Sequence, residues 1–312
     1  MKRYYKYLGF VILILIIWKI DIHRLIQIIG TLKIDILIVV LLLNLPAIFI
    51  KSLRWRYILK LQSIRYSLSQ TFVSYLSGLF VGIVTPGRLG EAIKIFYLKE
   101  DRGIPLSKGL SGVLADRLFD LCFLILFGIL GSWHLRIFGQ LNQLAMISIS
   151  LTIVAIFIYF ISKNRFKDFI VPFFRKKFGG LVISLEQFFI GFKDLARPMI
   201  ILPGFLTVIS YLIYFIQCHL MLLSLNIKID FLITVFLMSL INLVSLVPIS
   251  ILGIGTREAS MIYLFALINI PKEEAIAFSS IIFAIFYVFG GFFGYGGWVL
   301  RNKISLAKVD NE

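Results

Sequence analysis

Two apolar segments, one in each half of the chain, are interrupted by Pro and Gly, and a charged pair follows each interruption. The first, residues 78–98, reads GLFVGIVTPGRLGEAIKIFYL and contains Arg88. The second, residues 243–265, reads LVSLVPISILGIGTREASMIYLF and contains Arg257. A guanidinium can bind a phosphate through two hydrogen bonds, and a helix that restarts after a break offers free N–H groups and the positive end of its dipole. The pattern therefore predicts an anion site at each break.

The roles expected of the surrounding residues follow from their chemistry. Arg88, Arg257 and Thr256 would bind phosphate, and Thr256 could also cap the second returning helix. A second set would balance charge or accept a proton or a cation: Glu91, Glu258, Asp116, Asp120 and Lys94. A third set would form the turns: Pro86, Gly87, Gly90, Pro248, Gly253 and Gly255. The alternative is that each Arg and Glu only neutralise one another and hold the break closed.

A pair of carboxylates follows the first break, in the segment LADRLFDL. Asp116 and Asp120 are four residues apart, so they share one face of a helix. Like charges on a buried face repel unless a cation joins them, and Arg88, Arg257 or Lys94 could be that cation. The alternative places Asp116 near the cytoplasmic end of its span, in contact with water.

The composition is that of an integral membrane protein. The 312 residues are 60% hydrophobic and 15% charged, whereas soluble domains are about a quarter charged. The apolar runs are long, which favours helices over the alternating strands of a barrel. The net charge of +16 fits cytoplasmic loops and anionic lipid rather than nucleic acid. Cys122 and Cys218 suggest neither a disulfide framework nor a metal site, and we find no motif for a cofactor or for a catalytic nucleophile.

The distribution of basic residues predicts the topology. Six stretches are long and apolar enough to be spans: 7–20, 34–50, 109–131, 143–162, 198–223 and 276–300. Basic residues cluster in segments that we place in the cytoplasm, together with both termini: 2–6, 51–65, 99–108, 163–197 and 301–308. The interrupted segment 69–98 would then enter from the inside and return there, and 231–269 would do the same from the outside.

The predicted fold is therefore an all-α polytopic membrane protein, an inverted repeat in which each half has three spans and one re-entrant helical hairpin. The expected boundaries within this single membrane domain (1–312) are a first repeat at 1–131, the first span of the second repeat at 132–162, interfacial amphipathic helices at 163–197, the rest of the second repeat at 198–300 and a tail at 301–312. The helices of 163–197 would lie on anionic lipids of the inner leaflet. The alternative is that both hairpins cross fully, giving ten spans.

Four segments give the chain a family resemblance: SLRWRYIL (52–59), TPGRLGEAIK (85–94), LADRLFDL (114–121) and GIGTREA (253–259). Together they resemble the flippase-like, or lysylphosphatidylglycerol synthase transmembrane-region, family, over about residues 5–300. This is the membrane part of the bacterial multiple peptide resistance factor, and it also occurs as stand-alone proteins, including archaeal ones. The resemblance implies a protein of the cytoplasmic membrane that moves an aminoacylated phospholipid or handles a polyprenyl-phosphate lipid. We expect this chain to lack the cytosolic domain that transfers the aminoacyl group.

These observations predict a translocator of a phosphate-bearing lipid in the cell membrane, with no cofactor and no nucleic-acid partner. The first alternative is a membrane-embedded transferase acting on a lipid head group, for which Asp116 and Asp120 are the candidate pair. The second is an ion-coupled transporter of a small solute. The enzyme assignment is disfavoured, and a homo-oligomer stays open.

Overall fold

The computed structural model describes residues 21–83, 85, 90–135, 137, 201–246 and 253–309, with side chains as far as residue 302. Regular structure in these residues is entirely helical. Several predictions lie outside the described residues: the spans at 7–20 and 143–162, the interfacial segment 163–197, and the residues Pro86, Gly87, Arg88 and Pro248.

Five helices make up the first half of the described chain. They are α1 (Ile22–Gly30), α2 (Ile34–Leu61), α3 (Leu68–Ile83), α4 (Ile93–Arg102) and α5 (Leu106–His134). The second half contains α6 (Ile201–Ser224), α7 (Phe231–Ser245), α8 (Thr256–Ala266), α9 (Lys272–Ile282) and α10 (Gly290–Val309). A π-helical segment, Phe283–Phe289, joins α9 to α10.

The ends of the short helices follow from local residue chemistry. Helix α4 stops at Gly103, which adopts the left-handed conformation that glycine enters without steric cost. Pro105 and Pro271 are the N-caps of α5 and α9, and proline suits a helix start because its missing N–H needs no partner there. The same start signal therefore follows both interrupted segments.

Long apolar helices make the protein a multi-pass membrane protein. By length and composition, three described helices can cross a membrane: Ile34–Leu61, Ile201–Ser224 and Lys272–Asn302. Helix α5 has 29 residues and is therefore about 43 Å long, although it carries several charges. Large apolar side chains are exposed along these helices, as expected of a surface that faces lipid, and examples are Leu42, Leu126, Phe205 and Phe292.

The interrupted segments form two pairs of shorter helices. Helices α3 and α4 have 16 and 10 residues, or about 24 and 15 Å. Helices α7 and α8 have 15 and 11 residues, or about 22 and 16 Å. Each of the four is shorter than the roughly 30 Å hydrocarbon layer. The predicted span at 34–50 is too short, because α2 continues through the basic stretch to Leu61.

Close packing at glycines joins the two halves. On α10, a Cβ at Gly294 would lie 2.9 Å from the Phe80 nitrogen of α3, and a Cβ at Gly297 would collide with the Leu76 side chain. On α5, a Cβ at Gly131 would lie 2.7 Å from the Cβ of Phe236 on α7. Small residues at such crossings let helix backbones approach in a membrane, where there is no hydrophobic drive between helices. The first short helix of each pair thus packs on a long helix of the other half.

The contact between α3 and α10 can be tested with two glycines that are neighbours in sequence. We expect Gly297→Ala to lower the free energy of unfolding by about 1–3 kcal/mol, because the added methyl overlaps Leu76. Gly296→Ala is the matched control, since nothing lies within 4 Å of the place that its new methyl group would occupy, and it should be neutral or stabilising by up to about 1 kcal/mol. Unfolding in mixed SDS and detergent micelles measures both, and equal losses would contradict the packing.

Candidate functional site

A fully buried arginine lies where α2, α5 and α6 meet. The Nε of Arg54 donates a hydrogen bond to Asp116 Oδ1 at 2.8 Å, and its Nη1 donates to Asp120 Oδ1 at 2.7 Å. Nη1 also donates to Thr207 Oγ1 at 2.9 Å. Asp116 and Asp120 lie on one face of α5, as their spacing predicts, and the guanidinium joins them. One planar cation with several fixed donors therefore holds three helices together.

A buried lysine from the first interrupted segment lies beside this triad. Lys94 on α4 has its Nζ 3.6 Å from Asp116 Oδ2, and the Nζ also lies over the rings of Tyr75 (4.4 Å) and Trp55 (4.9 Å). The two aromatic faces and the carboxylate together compensate for part of the lost hydration of the ammonium. Gly78 on α3 makes room for it, because a Cβ there would be 3.0 Å from Lys94 Cγ.

A second ion pair extends the same group of charges. Glu91 is buried in the short 3₁₀ turn before α4, and its carboxylate pairs with Arg117 on α5. Nη1 of Arg117 is also 4.0 Å from Asp120 Oδ2. The room for Glu91 comes from Gly82, where a Cβ would be 2.5 Å from Glu91 Cγ. Gly78 and Gly82, one helical turn apart on α3, therefore make room for Lys94 and Glu91, respectively.

We call these six residues the central charged cluster: Arg54, Glu91, Lys94, Asp116, Arg117 and Asp120. With every group ionised it contains three cations and three carboxylates, so it is neutral. Three buried atoms make no hydrogen bond to a described residue, namely Arg54 Nη2, Lys94 Nζ and Asp116 Oδ2. Buried polar atoms are nearly always hydrogen-bonded, so these three atoms make the cluster the candidate binding site of the described residues.

The second break forms a smaller group, which we call the Arg257 cluster. Nη2 of Arg257 donates to Glu258 Oε1 at 2.6 Å, and Ser279 Oγ on α9 donates to the same oxygen at 2.7 Å. The Gly255 N–H donates to Glu258 Oε2 at 2.6 Å. The Arg257 guanidinium lies 5.2 Å from the ring centre of Tyr287, on the π-helical segment. Glu258 therefore occupies the helix N-terminus where the sequence predicted an external anion.

A third ion pair lies between α4 and α10 and is separate from both clusters. Nη2 of buried Arg301 is 3.0 Å from Asp101 Oδ1, and its guanidinium lies 4.6 Å from the Tyr97 ring centre. Tyr66, in the connection between α2 and α3, donates to Asp101 Oδ2 at 2.5 Å. Burial, together with this hydrogen bond to Asp101, raises the pKa of Tyr66 above its usual range, so it stays a donor.

The structure brings together part of what the sequence predicted. Lys94, Glu91, Asp116 and Asp120 meet in one cluster, and Lys94 is one of the three cations proposed for the aspartates. Arg257 was another and is instead hydrogen-bonded to Glu258 and Ser279. Arg88, the third, lies outside the described residues.

Some details of the breaks also differ from expectation. Thr256 is not an N-cap: it is the first residue of α8, the cap is Gly255 at φ 84°, and the Thr256 hydroxyl donates to the Gly253 carbonyl. Gly253 also has a positive φ, which fits its predicted role in the turn. At the first break, the Gly90 N–H donates to Thr85 Oγ1 at 2.7 Å. The returning helix starts only at Ile93, five residues after Arg88.

Sequence reasoning missed Arg54, the residue with the most contacts in the cluster. It belongs to the basic stretch 51–65, whose charge indicated a cytoplasmic segment. The available signal was the buried-face spacing of Ile48, Ser52, Trp55 and Leu59, which continues the helix with no Pro or Gly to end it. The basic charge of the stretch led to a cytoplasmic assignment, although this apolar periodicity predicts a continuing helix.

Comparison with known proteins places the chain in a family. The family model described as "Lysylphosphatidylglycerol synthase TM region" matches residues 7–294. The chain belongs to this family. Its relatives include UPF0104 membrane protein MJ1595 of Methanocaldococcus jannaschii, 25% identical across 96% of this chain and 95% of the relative. UPF0104 membrane protein PH1989 of Pyrococcus horikoshii is 23% identical across 89% and 90%. No solved structure matches the chain.

The importance of Arg54 for stability can be measured directly. We expect Arg54→Met to lower the free energy of unfolding by about 3–5 kcal/mol, because it leaves two buried carboxylates without their shared partner. Adding Asp120→Asn should recover a large part of the loss, since it restores the charge balance of the cluster and leaves Asp116 paired with Lys94. Lys272→Met is the control, because Lys272 is half-exposed and should contribute less than about 1 kcal/mol. A loss for Arg54→Met as small as the control's would contradict the arrangement.

Proposed function

We propose that this family member translocates a phosphate-bearing lipid across the membrane, with the head group passing through the central charged cluster. One observation carries the proposal: Arg54 and Lys94 both contact Asp116, and each has a buried donor that makes no hydrogen bond to a described residue. Ionisable residues at such depth are costly, and where they occur they mark pathways for charged substrates and ions.

The chemistry of the unused groups favours a phosphate. Arg54 Nη2 and Lys94 Nζ are cationic donors, and charge-assisted hydrogen bonds to a phosphate oxygen are about twice as strong as neutral ones. Asp116 Oδ2 lies 3.6 Å from Lys94 Nζ and could accept a hydrogen bond from a hydroxyl or an ammonium of the head group. The lipid tail would remain in the hydrocarbon, beside the exposed apolar faces of the helices.

The phosphate roles of Arg88, Arg257 and Thr256 remain part of this proposal. Arg257 has an unused donor in Nη1 and is buried, so it can offer a second resting place for the same head group. Glu258 would have to release the Gly255 N–H for the helix N-terminus itself to bind the anion. We therefore assign the tighter contacts to the central charged cluster and a transfer role to Arg257.

An inverted repeat supports movement between two leaflets. Exchanging the halves pairs α2 with α6, α3 with α7, α4 with α8, and α5 with α9–α10. The packing follows this exchange. The contact of α3 with α10 corresponds to that of α7 with α5, and the contact of α4 with α5 corresponds to that of α8 with α9. Helices α2 and α6, which exchange with one another, are in contact. This relation, with the short paired helices, supports two re-entrant hairpins that reach the midplane from opposite sides.

Reconstituted vesicles test the function. We expect Arg54→Lys and Lys94→Met each to slow the movement of fluorescent phosphatidylglycerol between leaflets by at least about tenfold, since each removes a charge-assisted contact or its geometry. Arg301→Lys is the matched control, because Arg301 is equally buried and paired with Asp101 but lies outside the cluster. Dithionite quenching measures the leaflet distribution, and thermal unfolding confirms that each variant is folded. Unchanged rates in both cluster variants would refute the proposal.

Cysteine labelling tests the hairpins. In a chain with Cys122 and Cys218 replaced by Ala, we expect Ser69→Cys and Arg102→Cys to react with an impermeant maleimide from one side of the membrane only. These exposed positions flank α3 and α4, and a re-entrant pair returns to the side from which it entered.

The second pair of helices provides the mirror control. Lys228→Cys and Leu267→Cys flank α7 and α8 at exposed positions and should react from the opposite side. Labelling of Ser69→Cys and Arg102→Cys from different sides would instead support hairpins that cross completely, and the inverted repeat would be rejected.

A further inference from the structure

The formal neutrality of the central charged cluster constrains how it can take an anion. Its three cations are matched by its three carboxylates, and five of the six side chains are almost completely buried. A phosphodiester head group that enters this cluster brings one extra negative charge. In a low-dielectric interior an uncompensated charge is strongly unfavourable, and a titratable neighbour changes its protonation instead.

We infer that an anionic lipid binds the central charged cluster together with one proton, which is taken up by Asp116. The inference rests on the proposed function and adds its coupling ion. Asp116 Oδ2 is the one carboxylate oxygen of the cluster that is buried without a hydrogen bond to a described residue. It is held only by Lys94 Nζ at 3.6 Å, a distance too long for a hydrogen bond.

The other carboxylates of the cluster are better retained as anions. Asp120 accepts a hydrogen bond from Arg54 Nη1 and has Arg117 on its other oxygen. Lys51 on α2 also acts on Asp120, but its side chain is half-buried and its charge stays partly solvated, so it is not counted in the buried cluster. Glu91 pairs with Arg117. Of these partners Arg54 would also bind the phosphate, but through Nη2, so its hydrogen bond from Nη1 to Asp120 is kept.

The groups facing Asp116 come from four helices. Arg54 faces it from α2, Tyr75 from α3 and Lys94 from α4, while Asp120 lies one turn away on α5. When a phosphate takes Lys94 Nζ and Arg54 Nη2, Oδ2 loses the one cation that a described residue places beside it and gains an anion nearby, while Oδ1 keeps its hydrogen bond from Arg54 Nε. The carboxylate then binds a proton from the aqueous phase on the loading side, and the cluster stays neutral.

The release of the proton follows from the same charge balance. When the head group departs toward the other leaflet, Lys94 returns to Asp116, and the carboxylic acid releases its proton to water. Lipid and proton therefore travel in the same direction, one of each per cycle. The only bond that forms and breaks is the O–H of Asp116, so the step balances with the proton alone.

Calorimetry with a lipid that does not itself titrate measures the proton count. Short-chain phosphatidylglycerol, kept below its micelle concentration, is titrated into the detergent-solubilised protein at one pH in two buffers of different ionisation enthalpy. The difference in heat gives the protons taken up per lipid bound, and we expect about one for the unchanged protein. Glycerophosphoglycerol, the same head group without acyl chains, shows whether the lipid tail is needed for binding.

Two isosteric variants locate the proton. Asp116→Asn carries a neutral group where the protonated acid would be, so it should bind phosphatidylglycerol with an uptake near zero and with affinity independent of pH. Asp101→Asn is the matched control, a buried aspartate paired with Arg301 outside the cluster, and it should keep the uptake of the unchanged protein.

The outcomes separate the two proposals. Phosphatidylglycerol binding with no proton uptake, or with the same uptake in Asp116→Asn, would overturn the coupling while leaving the proposed function standing. If the unchanged protein binds no phosphatidylglycerol, the proposed function fails and the coupling fails with it. In vesicles, an imposed proton gradient should accelerate lipid movement for the Asp101→Asn control and have no effect on Asp116→Asn.

Discussion

The guanidinium of Arg54 is the contact on which the arrangement of the helices depends. It has no exposed surface, and its donors reach Asp116 and Asp120 on α5 and Thr207 on α6. Each of those carboxylates would be expensive to bury alone, and together they would repel, so the cation is required before α2 and α5 can pack. Without it the cluster would have an excess of negative charge on largely buried side chains.

The broken helices follow from the same constraint. Lys94 and Glu91 can join the cluster because Gly78 and Gly82 leave space for them on α3. After the second break, the charge of Arg257 is neutralised by its neighbour Glu258, whose carboxylate accepts hydrogen bonds from Arg257, Ser279 and the Gly255 N–H. The described residues that follow the two breaks therefore differ: after the first, the ammonium of Lys94 makes no hydrogen bond to a described residue, whereas after the second the carboxylate of Glu258 accepts three.

The sequence predicted the class of fold and several members of the site for sound physical reasons. Asp116 and Asp120 share a face because of their spacing, and the Pro and Gly residues locate the breaks. What it could not show was which cation meets the aspartates, because Arg54 is separated from them along the chain and lies in a stretch whose basic charge resembles a cytoplasmic loop. Likewise, the capping of Gly255 by Glu258 depends on side-chain geometry, and the sequence left both a ligand role and a pairing role open for that residue.

The most direct test of this account is a structure of the protein in a lipid nanodisc with phosphatidylglycerol bound, determined at a resolution that shows the phosphate. We predict a phosphate oxygen within hydrogen-bonding distance of both Arg54 Nη2 and Lys94 Nζ, with Lys94 moved away from Asp116 Oδ2. A head group bound elsewhere, with the Lys94–Asp116 contact intact, would contradict the account.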